Sequence, residues 1–582
     1  MKKIVLVLAV LLVSVSACKN PFLKKMLVEE EKGESSAVSK HTVTFSVEGG
    51  TGGALKAEVD GKEINSGDSV EQGKSVVFTA EPAPDYVVEQ WTNGGTVIGE
   101  AGMDTSYTYT VTANADIKVK FQSLFVEGGA SLILSPNKLA ISVKAVTSDG
   151  SAVAVEGCTE TELTSGTETV LHAKGRRVIL KGKIIKLFCE YNQLTELNVQ
   201  GLTALQVLDC GYNQLTALNV QGLTALQTLD CSDNLLTALN VQGLSALRRL
   251  FCGNNQLTAL NVQGLSALQE LFCDINQLTA LNVQGLSALK KLWCYNNQLT
   301  ALNVQGLTAL ERLYCSNNQL TALNVQGCTV LEELYCDGNQ LTALNMQGLT
   351  ALHTLKCSGN QLTALNVQGC IALKELWCYN NQLTALNVQG LTALQTLYCS
   401  NNQLTALNVQ GCTVLEELYC DGNQLTALNV QGLTALQTLY CPDNQLTALN
   451  AQGCIALKEL WCYNNQLTAL NVQGLSALQR LYCRNNQLTA LNVQGCPALR
   501  GLNCCGNQLN DQAFTQIFSD LPTRTAGDGA RCILYTEKPG VTEGNCTDFT
   551  TPAELQAALQ NAKDVKHWKM HKLNTSGDEE EI

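Results

Sequence analysis

The 582-residue chain carries 38 basic against 51 acidic groups, a balance that argues against nucleic acid or a polybasic membrane grip, since both need clustered Lys and Arg. One ordinary domain is excluded at this length, so several domains or one long repeat array are expected. With 26 cysteines but only 9 prolines, and a heavy bias to Leu, Asn, Gln, Thr and Ala, this is no disulfide-rich miniature fold, and the array is favoured.

Met1, Lys2 and Lys3 followed by the apolar run Ile4 to Val13 form a charged start and a core too short to span a bilayer, so residues 1–17 read as an export signal. The end of that segment, Val15-Ser16-Ala17-Cys18, resembles the lipobox of bacterial lipoproteins. The resemblance implies cleavage before Cys18 and lipidation of its thiol; a plain secretory signal with an incidental cysteine is the alternative. Acyl chains on Cys18 would hold the mature N-terminus in a membrane, and no later apolar stretch has the length to span one. Residues 18–40, with Lys24-Lys25 and Glu29-Glu30-Glu31, are mixed in charge and aperiodic, as expected of a solvated tether.

From residue 41 to 124 the pattern changes to alternation, as at Val43, Phe45, Val47 and at Tyr107, Tyr109, Val111, broken by Asp60-Gly61 and Asn93-Gly94-Gly95 turns. That predicts a small β domain. The order Val43-x-Phe45-x-Val47-x-Gly49-Gly50, Val59-Asp60-Gly61, Val76-x-Phe78-Thr79-Ala80-x-Pro82 and Trp91-Thr92-Asn93-Gly94 resembles the B-repeat modules of internalin-type bacterial surface proteins. The resemblance implies a spacer or secondary binding unit and nothing catalytic. Gly73-Lys74-Ser75 lacks the upstream glycine of a phosphate-binding loop and reads as a turn. Residues 125–183 are again strand-like, with Leu132, Leu134, Ile141, Val143 and Ala145 alternating, and are expected to form a β cap, because the first coil of a solenoid would otherwise expose its core.

The decisive pattern is a 21-residue self-similarity without insertion. Cysteines recur at 189, 210, 231, 252 and onward to 504, which predicts sixteen coils over residues 184–509. The template L-x-x-L-x-C-x-x-N-x-L is that of leucine-rich repeats with cysteine at a usual Leu position. The expected fold is a leucine-rich-repeat solenoid, with parallel β-structure on the concave face, an irregular convex side, N-terminal β domains and a small mixed α/β C-terminal cap. Stacked about 4.8 Å apart, sixteen strands extend roughly 75 Å. Asn213 and its equivalents through Asn507 are expected to turn inward and satisfy backbone groups of neighbouring coils. A cysteine in every strand, with the Asn-Gln-Leu-Thr-x-Leu-x-Val run, resembles internalin J-like bacterial surface adhesins, whose repeats carry a cysteine ladder. Two departures stand out: the B-repeat-like module precedes the repeats, and the anchor is N-terminal lipid. That order points to the cell surface or outer membrane.

Each ladder cysteine alternates with Leu, which places it on the apolar side of its strand, where a thiol acts as a small hydrophobe. A straight column offers neither disulfide geometry nor the tetrahedral convergence zinc requires. Cys328, Cys370, Cys412, Cys454 and Cys496 interchange with Leu and read as core. Cys532 and Cys546 lie beyond the repeats in an exported segment and are candidates for a disulfide, two free thiols being the alternative.

The residue before each ladder cysteine must point the other way, outward. This column is aromatic at Phe188, Phe251, Phe272, Trp293, Tyr314, Tyr335, Trp377, Tyr398, Tyr419, Tyr440, Trp461 and Tyr482, interrupted by Asp209, Asp230, Lys356 and Asn503. Tyr295, Tyr379 and Tyr463 flank the tryptophans. Tandem duplication explains the likeness of these residues, since Trp-Cys-Tyr-Asn-Asn recurs at 293, 377 and 461. It does not explain exposed aromatics where polar residues would solvate better. Such a stripe suits binding, because Tyr and Trp cover large areas while keeping a polar handle.

Catalysis finds no support: no Ser/His/Asp arrangement or cofactor motif stands out, no metal site is expected, and the protein reads as no enzyme. His567 and His571 have i, i+4 spacing without a third ligand, as on a surface helix. Residues 510–582 predict a cap, with helices over 511–521 and 552–562, a strand over 531–535 and a disordered acidic tail at Asp578 to Glu581. The expected function is a lipid-anchored surface adhesin that engages a host or partner-cell extracellular protein through the stripe. A glycan-binding lectin and a structural surface-layer component are the alternatives.

Overall fold

The structure, a computed structural model, describes residues 38–582; the export signal and Cys18 lie outside the described residues. The chain divides after Leu124 into two compact units.

In the first unit, alternation builds two sheets around one core. Ser75–Pro82 buries Val76, Phe78 and Ala80 and exposes the residues between them, the period-two signature of a strand with one face inward. One sheet holds Lys40–Val47 between Asp68–Glu71 and Ala115–Ser123, with Tyr86–Asn93 and Thr96–Val97 beyond. The other holds Lys62–Glu63, Gly53–Val59, Ser75–Pro82 and Ser106–Thr110. Trp91 is wholly buried, and its indole N–H donates to the Asp104 carbonyl at 2.8 Å, so its large apolar body leaves no unmet donor. Gly53 is required by space: a Cβ there would lie 2.5 Å from the Glu81 carbonyl and 2.7 Å from the Phe121 ring.

The second unit begins with six strands between Gly129 and Lys181 that join the first coil twice. Gly129–Leu134, buried along its whole length, pairs antiparallel with Leu194–Asn198. Ala140–Thr147 pairs antiparallel with Ile184–Phe188, the first strand of the solenoid. Asn192 adds a side-chain joint: its amide accepts from Ser142 N at 2.9 Å and donates to Ser142 O at 2.7 Å.

From Ile184–Phe188 to Gly501–Asn503, sixteen short strands run parallel and in register as one sheet. Each strand sends its leucine and its cysteine into a single core: Leu292 and Cys294, like their equivalents, are fully buried. The opposite side of the coils carries only short pieces, such as Leu302–Asn303 with Leu323–Asn324. Burial pushes the ladder thiols well above their ordinary range, with neighbouring thiols adding to the effect at Cys210, so they are neutral, unreactive filling.

Two amide ladders tie coil to coil. Asn339 accepts from Leu320 N at 3.0 Å and donates to the Cys315 and Cys336 carbonyls, each at 3.1 Å; the same set recurs at its equivalents, for instance Asn444. On the far side Gln221 Nε2 donates to the Asn240 carbonyl of the next coil at 2.8 Å. Buried backbone groups between strand and turn are thereby satisfied without a regular helix.

The C-terminal cap imitates a further coil. Arg531–Thr536 continues the parallel sheet from Gly501–Asn503, and Asn545 assumes the ladder role, accepting from Leu509 N at 2.9 Å and donating to the Cys504 and Leu534 carbonyls at 2.9 and 2.8 Å. Helices Asp511–Asp520 and Ala553–Asp564 pack beside it. Two expectations are corrected here and one open alternative is decided. The acidic tail is ordered as an edge strand, Glu579–Glu581, because Lys569–Leu573 supplies a partner and Arg531 and Lys572 supply charge. His567 and His571 share no helix: the helix ends at Asp564, His567 has a positive φ of 57°, and His571 lies in a strand. Of the two alternatives for Cys532 and Cys546, the structure has both as free thiols. Cys532 is the inward residue level with Leu502 in the added strand, whereas the Cys546 thiol donates to the Asp548 carbonyl at 3.1 Å.

Candidate functional site

The outward face of the long sheet is built from three columns, set by the alternation of each short strand and the bend that follows. The middle column, the residue before each ladder cysteine, is the aromatic one. Parallel in-register strands lie about 4.8 Å apart, close to the distance at which rings stack, so the rings of consecutive coils come into contact. From Phe251 to Tyr335 the ring centroids are separated by 4.8, 3.9, 5.2 and 4.2 Å. Lys356 follows, and its ammonium sits 4.6 Å from the Tyr335 ring and 4.1 Å from the Trp377 ring. The row resumes from Trp377 through Tyr398, Tyr419, Tyr440 and Trp461 to Tyr482 at 4.8, 4.5, 5.5, 5.6 and 4.1 Å.

Sequence reasoning has these side chains projecting freely into solvent. Instead they are half-buried, each covering part of the next. Lys356, an interruption in the sequence, bridges the two halves through cation–π contacts. The halves differ in ring attitude. Phe251 is tilted 41° to Phe272, and Phe272, Trp293, Tyr314 and Tyr335 then stack nearly parallel, with interplanar angles of 2, 16 and 6°, whereas beyond Trp377 the successive angles are 40, 71, 30, 47 and 45°. Phe188 stands apart from the row behind Asp209 and Asp230, with the Lys144 ammonium 5.7 Å from its ring. The carboxyl of Asp209 is pushed up to about 6, first by burial and then by Asp230 and Glu190 nearby.

The column after the cysteine holds the three flanking tyrosines. Tyr463 shares a hydrogen bond of 2.8 Å with the Tyr440 hydroxyl and carries the Arg484 guanidinium 4.4 Å from its ring. Tyr295 is raised to about 12 by burial and by Asp274 beside it. Tyr379 is half-buried next to Trp377. The structure thus brings together on one face every aromatic residue singled out from Phe251 to Tyr482.

The third column, three residues before each cysteine, escapes a reading centred on aromatics. It is charged, and its charges pair between coils: Glu270 with Lys291 at 2.9 Å and Arg249 at 3.6 Å, Glu333 with Arg312 at 3.5 Å, and Glu459 with Arg480. These carboxylates also reach the rings. Tyr314 donates to Glu333, Tyr398 donates to Glu417 at 2.5 Å, and the Trp461 indole donates to Glu459 at 3.2 Å. Burial first, and then the accepting carboxylate, holds the Tyr314 and Tyr398 phenols well above their ordinary value. The indole N–H groups of Trp293 and Trp377 have no partner, although Glu375 stands at the register from which Glu459 accepts from Trp461. The recurrence of Glu every 42 residues from Glu333 to Glu459 is the sequence signal for this column.

Among the described residues no group of three or more His, Cys, Asp and Glu could hold a metal ion, and no helix is long and apolar enough to cross a membrane. What the face offers chemically is an extended aromatic and charged surface.

Comparison with known proteins follows the same lines. Residues 287–326 match the family of leucine-rich repeats in two copies, and residues 43–124 match the divergent InlB B-repeat domain. The sequence matches no curated protein. Among solved structures, the chain is similar to the functional domain of InlJ from Listeria monocytogenes, described as including a cysteine ladder, with 28% identity over 63% of this chain and 76% of that one and a TM-score of 0.48. It is 30% identical to a leucine-rich-repeat protein of Leptospira interrogans, over 55% of this chain and 89% of that one, with a TM-score of 0.48. A TDR receptor shares the fold alone, at 20% identity over 61% of this chain and 68% of that one, with a TM-score of 0.51.

Proposed function

We propose that this leucine-rich-repeat chain with a B-repeat module, internalin-like in both, is a bacterial surface adhesin, not an enzyme, held by lipid on Cys18 and engaging an extracellular protein of a host or partner cell. The observation that carries this reading is the row of eleven rings from Phe251 to Tyr482 on one face of the sheet. A half-exposed row of this length presents apolar area, hydroxyls and fixed charges together, the combination found at the energetic centres of protein interfaces. Stacking also pre-orders the side chains, so little rotamer freedom is lost on binding.

The test compares wild type with a Trp293→Ala, Trp377→Ala, Trp461→Ala variant in pull-downs of extracellular proteins and on a glycan array. Loss of a captured protein, with each important tryptophan worth about 2 kcal/mol or more, is the expected result. Because the rings support one another, a thermal melt of the variant accompanies the assay. Retained capture by a folded triple variant would sink the reading, and binding confined to sugars would promote a lectin. For the anchor, Cys18→Ala is expected to release the protein from membranes or leave its signal uncleaved. A processed, membrane-bound variant would refute lipid attachment.

A further inference from the structure

Four glutamates, Glu333, Glu375, Glu417 and Glu459, stand in the charged column at every second coil, with Thr354, Thr396 and Thr438 between them. Glu333 and Glu459 are paired with Arg312 and Arg480 of adjacent coils, as Glu270 is with Arg249 and Lys291. Among the described residues Glu375 has no ion pair or side-chain hydrogen bond, and Glu417 accepts from the Tyr398 hydroxyl but meets no cation. Asp421, one column over, accepts from Ser400 and also meets no cation. Glu375, Glu417 and Asp421 thus meet no cation, as Asp209 and Asp230 do not earlier on the face, and they lie within the stretch where successive rings are turned 30 to 71° to one another.

The same face shows how a cation sits on it. Lys356 lies between Tyr335 and Trp377 at 4.6 and 4.1 Å, and Arg484 lies over Tyr463 at 4.4 Å. A positive side chain attracted by Glu375 or Glu417 would meet the Trp377–Tyr440 rings in like manner, gaining charge and ring attraction at once.

Resting on the reading of the face as a protein-binding surface, we propose that coils 375–440 bind a basic, extended segment of the partner protein, its Lys or Arg side chains seated at Glu375 and Glu417. Two coils separate those carboxylates by roughly 10 Å. A polyproline-type segment returns to the same side every third residue, after about 9 Å, so a cation at every third position fits both seats when the segment runs along the solenoid.

The probe is a peptide of three lysines separated by pairs of prolines, titrated against the mature chain at low and high salt, with a glutamate-for-lysine peptide as control. The lysine peptide is expected to bind with affinity that falls as salt rises. A Glu375→Gln, Glu417→Gln variant should weaken it about tenfold while keeping the wild-type melting temperature. Equal binding of the glutamate peptide, no binding of the lysine peptide, or an unaltered affinity in the double variant would overturn the proposal. Should the double variant still capture a protein that the tryptophan variant loses, the basic-segment inference falls and the binding face stands. Should the lysine peptide bind as expected while the tryptophan variant captures every partner, the reading of the ring row falls instead.

Discussion

Replacing Asn339 by Leu is expected to cost about 3–5 kcal/mol, measured by denaturant unfolding or as lost hydrogen-exchange protection in coils 315–357. The volume is nearly kept, so packing is not the main effect. The cost comes from Leu320 N and from the Cys315, Cys336 and Asp337 carbonyls, all of which the Asn339 amide satisfies at 3.0 to 3.2 Å. Leucine offers them nothing, and the site is 7% exposed, too little for water to substitute freely. Gln340→Ala in the same coil, at an exposed side chain, should stay within about 0.5 kcal/mol. Since each coil touches only its neighbours, the damage should appear as a local break in the array. Equal effects of the two substitutions would show that the amide ladder contributes no special stability.

Serine at Cys294, Cys315 and Cys336 together is the second large expected effect, several kcal/mol in sum at about 1–3 kcal/mol for each buried hydroxyl. All three side chains are wholly buried in the single core of the solenoid. Desolvation raises their thiols far above neutrality, so the ladder holds no charge that a hydroxyl could replace. Valine at the same three positions should cost much less, because the column accepts apolar atoms. Thermal melts of the two triple variants with and without zinc provide the check. Equal losses restored by zinc would make the column a metal site and overturn its role as packing.

The 21-residue spacing of Cys189 through Cys504 was sufficient to read the coils, their inward cysteines and their outward rings. It was also sufficient in principle to read the stacking, since in-register strands must bring like residues within ring-contact distance. The alternation does not reveal the burial of the rings, because an outward residue is exposed only where its neighbours leave it uncovered. Lys356 looked like a gap because a lysine breaks an aromatic pattern in sequence, while in space its ammonium replaces a ring. Other features had no local signal. Asn545 continues the amide ladder only after the longer excursion that follows Thr536, so it falls out of the repeat phase. Glu579 to Glu581 read as repelling charge until Arg531 and Lys572, distant in sequence, meet them. Cys532 and Cys546 are candidates for pairing because they lie beyond the repeats in a segment read as exported, but one is held in a strand facing the core and the other beside Asp548.

The joints at the two ends have a consequence for size. Asn192 closes the amide series on Ser142, and Asn545 closes it on Cys504 and Leu534; neither depends on how many coils lie between. Trp293, Trp377 and Trp461 begin near-copies 84 residues apart, so excision or duplication of one such block would restore the same neighbours at the seam. The molecule is in this sense a ruler whose graduation is four coils. Copy number can set the length of the array and the number of coils it presents, with the chemistry of each coil unchanged.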